Sequence, residues 1–192
     1  MKKVKTTKTT KIKEIKQRIL KQFLRLSRIS KIDDDSEIET LPIESFLDVL
    51  SFSNAQFNAP AFERRLQVLH KWKKISPTEN RGDFEAPGFV KPVELKISFS
   101  NKANKINIRQ IRLWQNCDYV VTYCDYNEFK HKTYFLTHDQ MVEEVAKLGS
   151  ATHGTKEANK RNLNVEYSIT LNINNDWDKK YFRSDLNNQF YT

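Results

Sequence analysis

Val93-Glu94-Leu95-Lys96-Ile97-Ser98-Phe99 alternates apolar and polar residues without a break. A period of two marks a strand with one packed face and one wet face. Val93, Leu95, Ile97 and Phe99 point one way, and Glu94 and Lys96 share the other. Upstream, Pro87-Gly88 reads as a turn. A loop of four residues, Pro87 to Val90, folds Asp83 back to lie opposite Glu94. Directly opposed residues of antiparallel strands hold their Cβ atoms about 5 Å apart. Two carboxylates that close repel each other unless a cation sits between them. Mg²⁺ takes one or two carboxylates and keeps water and phosphate oxygens in its other positions. Lys96, beside the pair, is placed to orient and help deprotonate a bound water. Asp83, Glu94 and Lys96 are thus equipment for metal-assisted phosphodiester hydrolysis. Glu-x-Lys alone is a weak signal, since the same letters decorate many solvated strand faces.

The 192 residues suffice for one domain with a real core, at 38% hydrophobic and 30% charged. No apolar run approaches a membrane span, and no apolar stretch follows the basic N-terminus as a signal peptide requires. Cys117 and Cys124 are too few for a disulfide framework or a four-ligand zinc site. The expectation is a reduced cytoplasmic protein. The net charge of +9 is unevenly spread. Residues 1–32 carry 12 Lys and Arg against Glu14 alone, residues 33–50 carry seven acids and no base, and the remainder is mildly positive. The basicity therefore belongs mainly to an N-terminal arm, residues 1–32. Residues 33–192 form a single body with no internal repeat and no dividing linker.

Within the arm, Ile12, Ile15, Ile19, Phe23 and Leu26 recur at helical spacing with Lys and Arg around them. That helix can equally pack with a solvated cationic face or lie along a DNA backbone. Pro42 opens a short helix to about Leu50, and Pro60 opens another over 61–74. The spacing of Ile108, Ile111 and Trp114 predicts a helix over 107–116. Asp118 to Cys124 reads as a central strand, and Thr133 to Leu136 as its return. Thr137-x-x-Gln140 is a capping box for a helix that runs to Leu148 and stops at Gly149. Leu163 to Ile173 alternate as a long strand, and a closing helix falls between Trp177 and Phe190. The class is α/β (α+β): a central mixed sheet flanked by helices.

Helix, Asp-bearing strand, Glu-x-Lys strand, basic loop, helix and apolar strand follow in order. With Arg81-Gly82-Asp83-Phe84, Val93-Glu94-Leu95-Lys96-Ile97-Ser98 and Arg109-Gln110-Ile111-Arg112-Leu113-Trp114-Gln115 before Asp118-Tyr119-Val120-Val121, residues 60–136 resemble the core of the PD-(D/E)xK nuclease superfamily. Within it, the resemblance is to type II restriction endonucleases. The resemblance implies a restriction-endonuclease-like core with Asp83, Glu94 and the Leu95 carbonyl as Mg²⁺ ligands. Lys96 would position the attacking water. Glu63 is the best candidate for a further Glu on the preceding helix, with Glu79 and Glu85 competing. Gln110 falls where some relatives use Gln. Gly82 stands where the superfamily's name has Pro.

Lys102, Lys105, Arg109 and Arg112 surround the same end of the sheet and are candidates to hold double-stranded DNA. A loop residue, His153, is a weak candidate for base contact or catalysis. The function implied is Mg²⁺-dependent endonucleolysis by a homodimer on a short palindrome. Two alternatives stand: a repair or phage nuclease with the same core, and a non-catalytic DNA-binding protein using its basic arm.

Overall fold

Pro42 lacks an N–H and has φ −50°, which suits the residue before a helix. Helix α1 (Ile43–Phe52) accordingly starts there, and Ile43, Phe46, Leu47 and Leu50 form its buried stripe. The computed structural model describes residues 19, 37–53, 55–100, 105–125, 130–151, 165–173 and 175–186. The basic arm with its amphipathic helix, apart from residue 19, lies outside the described residues, as do Lys102, His153 and Leu163. Helix α2 (Ala55–His70) begins before Pro60, which it contains, and ends where Lys71 turns left-handed at φ 58°. The expected span of 61–74 is therefore shifted toward the N-terminus. Pro60 removes one backbone bond in the second turn, a loss the packed residues Ala61, Phe62 and Leu66 offset. Arg65 is also buried on α2. It donates from Nη1 to the carbonyls of Glu39 (2.8 Å) and Leu41 (2.6 Å) and stacks over Phe46.

Among the described residues eight strands follow, with one helix between the sixth and seventh: β1 (Lys73–Lys74), β2 (Phe84–Glu85), β3 (Val93–Ser100), β4 (Lys105–Ile111), β5 (Asp118–Asp125), β6 (Lys130–Leu136), α3 (His138–Leu148), β7 (Gly149–Ala151) and β8 (Tyr167–Asn172). Helix α4 spans Asn175–Tyr181. The main sheet is mixed, in the order β1-β2-β3-β5-β6. Only β3 and β5 run parallel, with Glu94 beside Tyr119 and Lys96 beside Val121. A second, antiparallel sheet has the order β4-β8-β7. The fold is α+β, with helices and a mixed five-stranded sheet. Among the described residues, no helix is long and apolar enough to cross a membrane.

The helix expected over 107–116 is instead strand β4 and a turn. Lys105-Ile106-Asn107-Ile108 alternates at period two. A bulge then breaks the ladder: Ile108 pairs with Ile169, but Ile111 pairs with Tyr167. The extra residue puts Ile108 and Ile111 three apart on one buried face, which imitates helical spacing. The capping box forms as expected. Thr137 N–H donates to Gln140 Oε1 (2.9 Å), and Gln140 N–H donates to Thr137 Oγ1 (3.3 Å).

Strand β5 is buried on both faces. Val120 and Cys124 meet α1 and α2, while Tyr119, Val121 and Tyr123 meet the second sheet, α3 and α4. The same sandwiching covers β3. Val93 and Leu95 pack toward the first two helices, and the opposite face looks toward β4, where Asn107 N–H donates to Ser98 Oγ (2.9 Å). Glu94 and Lys96 are therefore not on a wet face, as period-two reading alone expects.

Candidate active site

Asp83 is fixed by its backbone before its side chain matters. Its N–H donates to Val93 O (2.9 Å), and its carbonyl accepts from Ile75 N–H (2.8 Å). The antiparallel register Phe84↔Val93, continued by one step, sets Asp83 opposite Glu94. Asp83 Oδ2 accepts from Leu95 N–H at 2.9 Å, so its carboxylate leans over the Glu-x-Lys strand. Gly82 permits this approach. Its φ is +100°, and an added Cβ would meet Cys117 Cβ at 3.0 Å and Val93 O at 3.1 Å. Gly82→Ala is expected to cost about 2 kcal/mol in urea unfolding, because left-handed strain adds to the backbone clash. The same change displaces Asp83 and lowers any activity that depends on it.

Glu94 is only 2% exposed. Lys96 Nζ donates to its Oε1 at 2.6 Å, while Oε2 is buried with no hydrogen-bond partner. A buried carboxylate oxygen left unsatisfied costs free energy unless something positive completes it. Asp83 shows the same deficit of positive charge. Burial first, then the Glu94 carboxylate, push its pKa up to about 6, against the pull of Lys96 and the Leu95 N–H.

These groups line one cleft of about 690 Å³, with β3 on one wall and β4 on the other. Asp83, Glu94, Leu95 and Lys96 face Arg109, Gln110 and Arg112, and Glu63 enters from α2. Of the three competing glutamates, Glu63 alone lines this cleft. It also raises the Asp83 pKa slightly, though Lys74 Nζ donates to it at 2.6 Å. Glu79 and Glu85 are engaged elsewhere, by Arg81 at 2.8 Å each and by Lys73 at 3.0 Å to Glu85. Lys105 does not join the site. It lines a separate cleft with Lys147, Trp177 and Lys180.

Arg112 is held by Glu166, whose Oε1 accepts from Nε at 2.9 Å, and Tyr119 Oη donates to the Arg112 carbonyl at 3.2 Å. Burial works against its charge, but Glu166, Glu94 and Asp83 together hold the guanidinium pKa above its ordinary value. Glu166 went unseen in the sequence. It lies 54 residues from Arg112, and no local spacing links them.

Among the described residues, no group of three or more His, Cys, Asp and Glu side chains is placed to hold a metal. The donor set here is two carboxylates beside backbone and open cleft. That set is poor for zinc but suits Mg²⁺, which keeps several waters and takes phosphate oxygens. The orphaned Glu94 oxygen and the raised Asp83 pKa both fit a cation between them. Compared with known protein families and with curated proteins, the chain finds no match in either.

Proposed function

We propose that this protein is a Mg²⁺-dependent DNA endonuclease with a restriction-endonuclease-like core, acting as a homodimer on two-fold-symmetric duplex sites. One observation carries the reading: a buried, unsatisfied Glu94 oxygen and a proton-hungry Asp83 lie in one open cleft with Lys96 and Arg112. The order of an Asp at the head of β2, an antiparallel Glu-x-Lys strand and a parallel apolar strand supports the core assignment. Strand β4 replaces the helix that the resemblance implies at 107–116, so the crossover from β3 to β5 differs from that pattern.

Asp83, Glu94 and the Leu95 carbonyl would hold the ion. When bound, it supplies Lewis acidity toward a phosphodiester and lowers the pKa of water. The protein's own groups do the rest. Lys96 brings an ammonium to the point where charge builds on the phosphorus oxygens, preorganised by Glu94. Arg112, braced by Glu166, offers a planar donor fork to a phosphate. Arg109 widens the cationic wall and attracts the backbone.

Mixed-sequence plasmid incubated with Mg²⁺ tests the reading. Discrete fragments are the expected result. A smear or nicked circles would mean a structure-directed nuclease. A gel shift without cutting would mean a non-catalytic DNA-binding protein, and neither effect would remove DNA from the reading altogether.

A further inference from the structure

Among the described residues, strand β4 is the outer strand of the second sheet, and its bulge lines the cleft. Strict alternation would turn residue 110 inward, on the side of Ile106 and Ile108. The extra residue gives that inward place to Ile111 instead, so Arg109 and Gln110 are exposed side by side. The cost is visible in the backbone. Gln110 has φ +53°, a left-handed conformation that a glutamine side chain disfavours. Folding alone does not call for glutamine here, since glycine or asparagine takes this φ more readily. Strained bulges that re-aim a side chain concentrate beside functional sites.

Resting on the nuclease reading, we infer that the β4 bulge is the base-reading element and that Gln110 is a specificity-determining residue for an A·T pair. An uncharged amide adds little to phosphate binding, which Arg109 and Arg112 already serve. It carries one acceptor and a donor pair, the pattern that matches adenine N7 and N6 in the major groove. The exposed pair Arg109 and Gln110 is the part of β4 open to a duplex. Asn107 extends the polar edge. It accepts from Thr170 Oγ1 at 3.3 Å, which ties the reading strand to its neighbour.

The test is cleavage of a pool of short duplexes randomised in sequence, with wild type and Gln110→Gly, in Mg²⁺, reading every cut end. Glycine accepts φ +53° freely, so the variant is expected to fold with an unchanged or higher midpoint. Its preference for A·T at one position of each half-site should weaken by about ten- to a hundredfold, while turnover on the best site stays within a few-fold. An unchanged preference, or a uniform loss of rate at every sequence, overturns the assignment. Unselective cutting by the wild type overturns it as well, and leaves the nuclease reading standing. No cutting by the wild type removes the nuclease reading and this assignment together. Should Gln110→Gly fail to fold, Gln110→Asp keeps a residue type that tolerates the left-handed turn and has no donor for adenine N7. It must then shift the preference, or the inference falls.

Discussion

Asp83→Asn is expected to make the protein more stable at pH 7.5 and to reduce Mg²⁺-dependent DNA cleavage by a thousandfold or more, on the scale of a lost electrostatic constellation. The folded-state pKa of Asp83 is raised from 3.8 to about 6. Below about pH 3 both the folded and unfolded states carry the proton, and the group contributes nothing. Between pH 4 and 6 the folded state holds the proton more often than the unfolded chain does. Stability therefore falls as pH rises through this window, and the full penalty is present above it. Asparagine removes the charge and keeps a carbonyl oxygen to accept from Leu95 N–H. The gain at pH 7.5 is on the order of 1–3 kcal/mol, or several degrees in thermal midpoint. It should vanish at about pH 3. Saturating Mg²⁺ should shrink the difference at pH 7.5 by stabilising the wild type alone. A structural carboxylate would behave in the opposite way, with its loss costing stability.

Lys96→Ala is expected to act in the other direction on stability and in the same direction on activity. Glu94 is 2% exposed and Lys96 13%, so removing the ammonium leaves a buried carboxylate with neither oxygen compensated. Breaking a buried pair from one side costs about 3 kcal/mol or more. Unfolding in urea without metal should show that loss. Glu94→Gln in the Lys96→Ala background should recover most of it, because the uncompensated charge is then gone. DNA binding in a gel shift should persist, since Arg109 and Arg112 remain, while cutting falls by about a thousandfold. Unchanged cutting would eliminate the role proposed for Lys96.

The contrast between these neighbours explains what was legible in the chain. Alternation over 93–99 located β3 and put Glu94 and Lys96 on one face. Pro87-Gly88 located the turn that returns Asp83 to them. These are local patterns with local causes, as is the capping box of Thr137 and Gln140. Alternation could not say what covers the polar face. The second sheet does so through β4, residues 105–111, which pairs with residues 167–172, distant in sequence from β3. Glu94 therefore turned out buried where a solvated position was expected. Strand β4 was missed because its bulge shifts the apolar period from two to three. Pro60 misled for another reason: a helix tolerates proline in its second turn when the following residues pack well. Glu166 carries no signal at all before the chain folds. Gly82 looked indifferent as a letter, yet its positive φ and the contact with Val93 O make it a condition for placing Asp83.

Burial of Glu94 against a cation also sets the site apart from an ordinary ion pair. One oxygen already has Lys96, and the other is buried without a hydrogen-bond partner in a residue that lines the same cleft as Asp83. Direct binding of a divalent ion is therefore the decisive quantity. Loss of the free Mn²⁺ signal in electron paramagnetic resonance, titrated with wild-type protein at pH 7.5, measures it without DNA or turnover. Saturable Mn²⁺ binding that Mg²⁺ displaces, and that both Asp83→Asn and Glu94→Gln abolish while remaining folded, is the expected result. Binding that survives both substitutions, or no binding by the wild type with duplex DNA present, would contradict a metal centre at these carboxylates.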